Sequence, residues 1–341
     1  MTIKKLYLIV LSIAFIFTSC SSDDDAGTPE PLGNYENGIF VLHEGNFFGG
    51  NASVSYISND FQTVENNVFS SVNLTSLGDT AQSITFNGNL AYIILNVSNT
   101  IEVVNRYTFE SVATITGFSS PRYMAISNGK GYVSNWGEFT PSDDDYIAII
   151  DLSTYSIIDT ISSSYLPNEV IAVGDKVYVA TGIYGNGNEL NVINTQTDEL
   201  EDNITVGNSP DSFQLDSDGD LWVLSSENLI EIDTDTDLIS QTISLGAAIS
   251  SASDLNFDNG NFYIYAGGSV YKMAETATTF PTASEISGVN FYGMSVRDGF
   301  LYGLDAGDFA SNGELKVYDL STNSQSQLFT LNIIPSAVYF N

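Results

Sequence analysis

What the chain has least of narrows its chemistry first. Its 341 residues include one Cys and one His. A single Cys excludes an internal disulfide and a cysteine-rich metal site. A single His leaves no partner to share a metal, so neither metal catalysis nor a bound cofactor is expected. Basic residues number 9 against 42 acidic ones, a formal charge of −33. So few cations cannot build a basic face, which excludes nucleic acid as a partner and argues against docking on anionic lipid head groups. Charged side chains make up only 15 % of the chain, so Ser, Thr, Asn and Gly must cover most of the surface. Long apolar runs are missing too. The run from Leu6 to Phe17 is too short to span a bilayer. What is plentiful is hydrophobic residue (43 %) and aromatic residue (12 %), enough for a large packed core.

That apolar run follows Lys4 and Lys5 and ends in Phe17-Thr18-Ser19-Cys20, the layout of a secretory signal. The ending resembles the bacterial lipobox, in which the Cys is acylated and becomes the new N-terminus. Lipidation accounts for a lone thiol in an exported chain. Residues 1–19 are therefore read as a lipoprotein signal peptide, and residues 20–36 as lipidated Cys20 with a disordered acidic tether. Ser21-Ser22-Asp23-Asp24-Asp25 resembles the segment that sends Bacteroidetes lipoproteins to the outer face of the outer membrane. Membrane contact is then expected only through the lipid anchor.

From residue 37 to residue 341 the chain repeats. Asn87-Gly88-Asn89-Leu90-Ala91-Tyr92-Ile93 recurs as Asn128-Gly129-Lys130-Gly131-Tyr132-Val133, Gly174-Asp175-Lys176-Val177-Tyr178-Val179 and Asp218-Gly219-Asp220-Leu221-Trp222-Val223. Further copies begin at Asn37-Gly38, Asn259-Gly260 and Asp298-Gly299. Asn-Gly and Asp-Gly favour tight hairpins, and the alternating β-branched and aromatic residues after them read as strands. Glycines 38, 88, 129, 174, 219, 260 and 299 lie 50, 41, 45, 45, 41 and 39 residues apart. That period marks propeller blades. The fold class is all-β, a seven-bladed β-propeller with four antiparallel strands per blade. Pro335-Ser336-Ala337-Val338-Tyr339-Phe340 matches an innermost strand and is expected to complete the blade begun at Gly38, closing the ring.

In such a disc the tight turns share one face, and the longer loops and blade crossings share the other, where ligands bind near the central channel. Several loops on that second face are long and aromatic. They supply His43, Glu44, Asn46, Phe47 and Phe48, then Asn135 and Trp136 (with Phe139 beyond), then Tyr184 and Asp305. The crossings add Asp79, Gln82, Arg122, Tyr123, Tyr165, Asn168, Glu169, Asp211 and Tyr292. Aromatics among amides and carboxylates suit a broad, partly polar ligand or a sugar; each aromatic taken singly could equally pack between blades. His43 is read as a hydrogen-bonding residue of this face rather than a catalytic base. Arg122 has two readings, a ligand phosphate or a neighbouring carboxylate, with the structural pairing favoured. Asp216-Ser217-Asp218-Gly219-Asp220 and Asp233-Thr234-Asp235-Thr236-Asp237 look like calcium runs but lack the distal Glu of the EF-hand spacing, and both fall on hairpin turns. No metal site is expected.

The Tyr-Val and Val-Ile-Asp/Asn strands resemble surface-layer-type YVTN propellers. Gly38-Ile39-Phe40-Val41-Leu42-His43-Glu44-Gly45-Asn46, Leu77-Gly78-Asp79-Thr80-Ala81-Gln82 and Ser120-Pro121-Arg122-Tyr123-Met124 are similar to a group of Bacteroidetes surface lipoproteins that includes vitamin B12-binding propellers. The resemblance implies a non-enzymatic protein that captures cobalamin or a related corrinoid and passes it to a TonB-dependent outer-membrane transporter. It also implies a chain that is monomeric apart from that partner. The alternative is a propeller for glycan or protein interaction with no cobalamin role. A lyase or lactonase is weaker still, because it would need a clustered metal site.

Overall fold

The computed structural model describes residues 32–138, 144–163, 165–185, 187–246, 249 and 251–341. The signal segment, Cys20, Phe139 and most of the tether lie outside the described residues.

Period-two sequences buried on both faces make strands that stack as blades. Seven sheets of four antiparallel strands form a seven-bladed propeller. From blade one to blade seven the innermost strands are Pro335–Phe340, Ala81–Asn87, Pro121–Ser127, Pro167–Val173, Ser212–Leu215, Ala252–Asp258 and Gly293–Arg297. These neighbour one another in a closed ring around the channel. The turns at Asn128-Gly129, Asn259-Gly260 and Asp298-Gly299 carry positive φ at both residues, the mirror-image geometry that matches strand twist. Asn37-Gly38 differs. Gly38 starts a strand rather than a turn, because the strand that pairs with it comes from the far end of the chain. Ile39, Phe40, Val41 and Leu42 pair with Phe340, Tyr339, Val338 and Ala337.

Alternation sends successive side chains to opposite neighbours. In blade three Ile147 and Ile149 face blade four, while Ala148 and Ile150 face blade two. Each of the seven blade-to-blade seams holds its own apolar cluster, so the core is a ring of seams. Two details depart from the sequence reading. Tyr35, placed in the tether, is 4 % exposed and packs against Phe40 and Phe109. A short helix, Val68–Asn73, also interrupts the all-β pattern, burying Val68 and Phe69.

Polar clasps tie the second strand of one blade to the outer turn of the next. Asp198 accepts from Lys130 Nζ at 2.5 Å and from the Tyr132 hydroxyl at 2.6 Å. Asp237 accepts from Lys176 Nζ and the Tyr178 hydroxyl, both at 2.6 Å. Replacing Asp237 by Ala leaves a buried phenol unpaired and strips the half-buried Lys176 ammonium of its counter-charge, with only the Thr234 carbonyl at 3.2 Å remaining. Urea unfolding should show a loss of about 2–4 kcal/mol. Asp235→Ala, exposed in the same turn, should change stability by less than about 0.5 kcal/mol. Equal losses for the two variants would dismiss the clasp.

Candidate functional site

The site is built from irregularities in the innermost strands. Five of them carry a bulge where they enter the channel: at Gln82, at Arg122–Tyr123, at Asn168–Glu169, at Asp254 and at Ser336. A bulge sets two residues against one on the partner strand and re-aims a side chain. Here it turns polar groups inward that regular alternation would send into a seam. Six crossings also hold a non-glycine residue at positive φ just before the inner strand: Thr80, Ser120, Leu166, Ser209, Ser251 and Ile334. Such backbone costs about 1–3 kcal/mol each and persists only where the surroundings hold it.

The result is a cavity of about 750 Å³ on the loop face, to which all seven blades contribute. Arg122 lies deep within it. Its Nε donates to Asn168 Oδ1 at 3.2 Å and its Nη1 donates to Gln82 Oε1. The guanidinium carbon sits 3.9 Å from the centre of the Trp136 ring, and the indole Nε1 donates to the Pro167 carbonyl at 2.9 Å. Burial lowers the Arg122 pKa, with nearby tyrosines and Glu44 acting the other way. The carboxylate reading of Arg122 fails: among the described residues no carboxylate lies within 4.0 Å of it.

Three acids stand on the neighbouring blade four and on blades five and six. Burial, reinforced by Asp211, pushes Glu169 up to about 8, while its Oε2 accepts from the Phe213 N–H at 2.9 Å. Asp254 is pushed up to about 7, again chiefly by burial. Asp211 is raised by burial and held down in part by Arg122. Glu44 is likewise raised by burial and accepts the Tyr292 hydroxyl at 3.0 Å. The raised pKa values of Glu169 and Asp254 favour their neutral forms near neutral pH, so this part of the fold is less negative than its residue types suggest.

The mouth is aromatic. Among the described residues, all six strongly exposed aromatic side chains lie in loops or crossings of this face: Phe47, Phe48, Tyr165, Tyr184, Tyr292 and Phe309. The Phe47 and Phe48 rings meet at a tilt with centroids 4.3 Å apart, Tyr292 meets Phe309 edge-on at 5.1 Å, and Tyr184 stands edge-on to Trp136 at 6.0 Å.

Of the residues chosen from sequence, Glu44, Phe47, Gln82, Arg122, Tyr123, Trp136, Asn168, Tyr184, Asp211 and Tyr292 line the cavity together. The others sit elsewhere. His43 ends its strand fully buried, with Nε2 at 2.8 Å from Ser55 Oγ, and burial lowers its pKa to about 3, so it is neutral and structural. Asn135 is buried on the Val133 carbonyl, and Asp305 is paired with Lys316 at 2.7 Å. Asp79 accepts from the Gly50 N–H and so ties its crossing to the first loop, and Asn46 ties that loop to Phe309. Phe48 and Tyr165 stand on the rim, and Glu169 lies behind Asp211. Sequence reasoning missed Thr80, Asn96, Ser120, Ser253, Asp254, Ser336, Ala337 and Tyr339. Four of these, Ser253, Asp254, Ser336 and Ala337, fall at or beside bulges.

Asp216, Asp220 and Glu231 bring carboxylate oxygens within 4.8 Å of one another. Both Asp216 oxygens are engaged, Oδ1 by the backbone of its own turn and Oδ2 by the Trp222 indole at 2.9 Å, as turn chemistry requires.

Residues 37–318 match the family described as Domain of unknown function (DUF5074). The chain belongs to that family. No curated protein matches it. Among solved structures this member of the DUF5074 family is similar to a quinonprotein alcohol dehydrogenase-like protein of Bacteroides thetaiotaomicron, at 16 % identity over 90 % of this chain and 78 % of that one, TM-score 0.69. It is also similar to a putative 6-phosphogluconolactonase of Bacteroides uniformis, at 12 % identity over 89 % of this chain and 100 % of that one, TM-score 0.66. A third is apo AztD of Citrobacter koseri, at 11 % identity over 88 % and 96 %, TM-score 0.58. At such identities the likeness is one of fold.

Proposed function

We propose that this propeller is a non-enzymatic surface lipoprotein that captures cobalamin or a related corrinoid and hands it to a TonB-dependent outer-membrane transporter. The observation that carries the reading is the ring of exposed aromatics around a deep cavity lined by amides. A corrinoid is broad and partly flat, with peripheral amides. Phe47, Tyr184 and Tyr292 give its face apolar cover, while Gln82, Asn96 and Asn168 offer both donors and acceptors to its rim. Blades from all round the channel share the contact, which suits a ligand wider than any one loop can hold.

Isothermal titration with cyanocobalamin tests the proposal. Binding at micromolar protein is expected. Phe47→Ala and Tyr184→Ala should each weaken it by about 1–3 kcal/mol, whereas Lys130→Ala, in a clasp at the opposite face, should leave affinity unchanged. Absence of binding overturns the corrinoid reading and leaves glycan or protein interaction. Anchoring is tested separately. Cys20→Ser should move the protein from the membrane fraction to the soluble one in cells lacking the transporter, because acyl chains are the only anchor in this reading.

A further inference from the structure

We infer that Arg122 is the seat of a singly charged anionic group of the ligand, a phosphodiester or a carboxylate. The identity of the molecule that delivers the anion rests on the capture reading; the seat itself does not.

In a chain with 42 acidic residues, a cation deep in the fold would be expected to hold one. Lys130, Lys176 and Lys316 do, at 2.5, 2.6 and 2.7 Å. Arg122 instead spends two of its five N–H groups on the neutral amides of Asn168 and Gln82 and lays its face on Trp136. Amides and an indole fix the plane of a guanidinium and offset part of its desolvation without neutralising it. The remaining donors have no acceptor among the described residues, and the side chain lines the cavity. A fork of this kind binds an anion through paired charge-assisted hydrogen bonds.

The surroundings set the charge of that anion. Glu44 and Tyr292 face Arg122 from blades one and seven, Tyr184 from blade four and Asp211 from blade five, none of them in ion-pair contact. Attraction to the single guanidinium and repulsion by the acids both double for a dianion, whereas the cost of desolvating it rises with the square of its charge, so one cation in this cavity suits a monoanion.

The test titrates the folded chain at pH 7.5 with diphenyl phosphate, benzoate, phenyl phosphate and neutral benzamide, read by tryptophan fluorescence. Diphenyl phosphate and benzoate should bind at least about tenfold more tightly than benzamide. The dianionic phenyl phosphate should fall behind diphenyl phosphate. Arg122→Gln should bring the monoanions to the level of benzamide, and Arg122→Lys should keep part of the preference. The order of diphenyl phosphate and benzoate decides between phosphodiester and carboxylate. Benzamide binding as tightly as benzoate, or Arg122→Gln keeping the preference with an unchanged melting curve, overturns the seat. A parallel pair separates the two readings: cyanocobalamin, which carries a phosphodiester, against dicyanocobinamide, which lacks it. Loss of their discrimination in Arg122→Gln supports both readings. Failure of both corrinoids alongside anion binding removes the corrinoid and keeps the seat.

Discussion

Trp136→Ala should lower corrinoid affinity by roughly 100-fold, the scale of a tryptophan at the centre of an interface. The indole has three roles at once. Its face supports the Arg122 guanidinium at 3.9 Å, its edge braces Tyr184, and its Nε1 caps the Pro167 carbonyl. Truncation would free Arg122 to swing, let Tyr184 collapse inward and leave a buried carbonyl unpaired. The first two effects fall on binding. The third falls on stability, at about 1–3 kcal/mol. Trp136→Phe keeps an aromatic face but loses the five-membered half of the indole with its N–H, so it should recover part of the affinity and little of the stability. Titration calorimetry and urea melts on the two variants separate these effects. An affinity within threefold of wild type for Trp136→Ala would remove the indole from the site.

The second large effect is on pH dependence. Glu169 and Asp254 hold their protons in the folded chain up to about 8 and about 7, against ordinary values of 4.5 and 3.8. Between those limits the folded protein binds protons that the unfolded chain has released, so stability must fall as pH rises. The loss begins near pH 4, runs through neutrality and levels off above pH 8. Glu169→Gln removes the ionisable group while keeping an oxygen to accept the Phe213 N–H. Near pH 5 it should match wild type. At pH 8.5 it should be more stable by on the order of 2–4 kcal/mol, with a flatter slope between. Melting temperatures across this range check it. Parallel pH curves for the two proteins would mean that Glu169 is ionised when folded.

The blades were legible because each begins with the same chemistry. Asn-Gly or Asp-Gly (Gly174-Asp175 in blade four) marks the start of the second strand, alternation follows, and the spacing of those glycines counts the blades. The closing strand was legible too, since Pro335–Phe340 carries the pattern of an innermost strand and Asn37-Gly38 that of the second strand it pairs with. The aromatic mouth showed because Phe47, Trp136 and Tyr184 interrupt strand patterns with loop composition. The polar floor was hidden. Asp254 and Ser336 sit inside strands, and only a bulge, which leaves no mark in a single sequence, turns them into the channel. The same blindness misplaced His43. Its neighbours Glu44 and Gly45 read as loop, yet the strand runs one residue further and buries the imidazole. Arg122 was judged by how common acids are in the chain, whereas its partners were chosen by the bulges that bring Gln82 and Asn168 beside it.

The pairing of Ile39–Leu42 with Ala337–Phe340 also decides when this molecule can finish folding. Every other strand pairing joins consecutive strands separated by at most about eleven residues and can form as soon as both have emerged. This one joins segments about 300 positions apart, and closing so long a loop carries the largest entropic cost in the fold. Until the final strand arrives, blade one presents an open hydrogen-bonding edge and the Arg122 cavity lacks Ser336, Ala337 and Tyr339 from its wall. Ring closure and completion of the cavity wall are therefore a single event, and both wait for Pro335–Phe340.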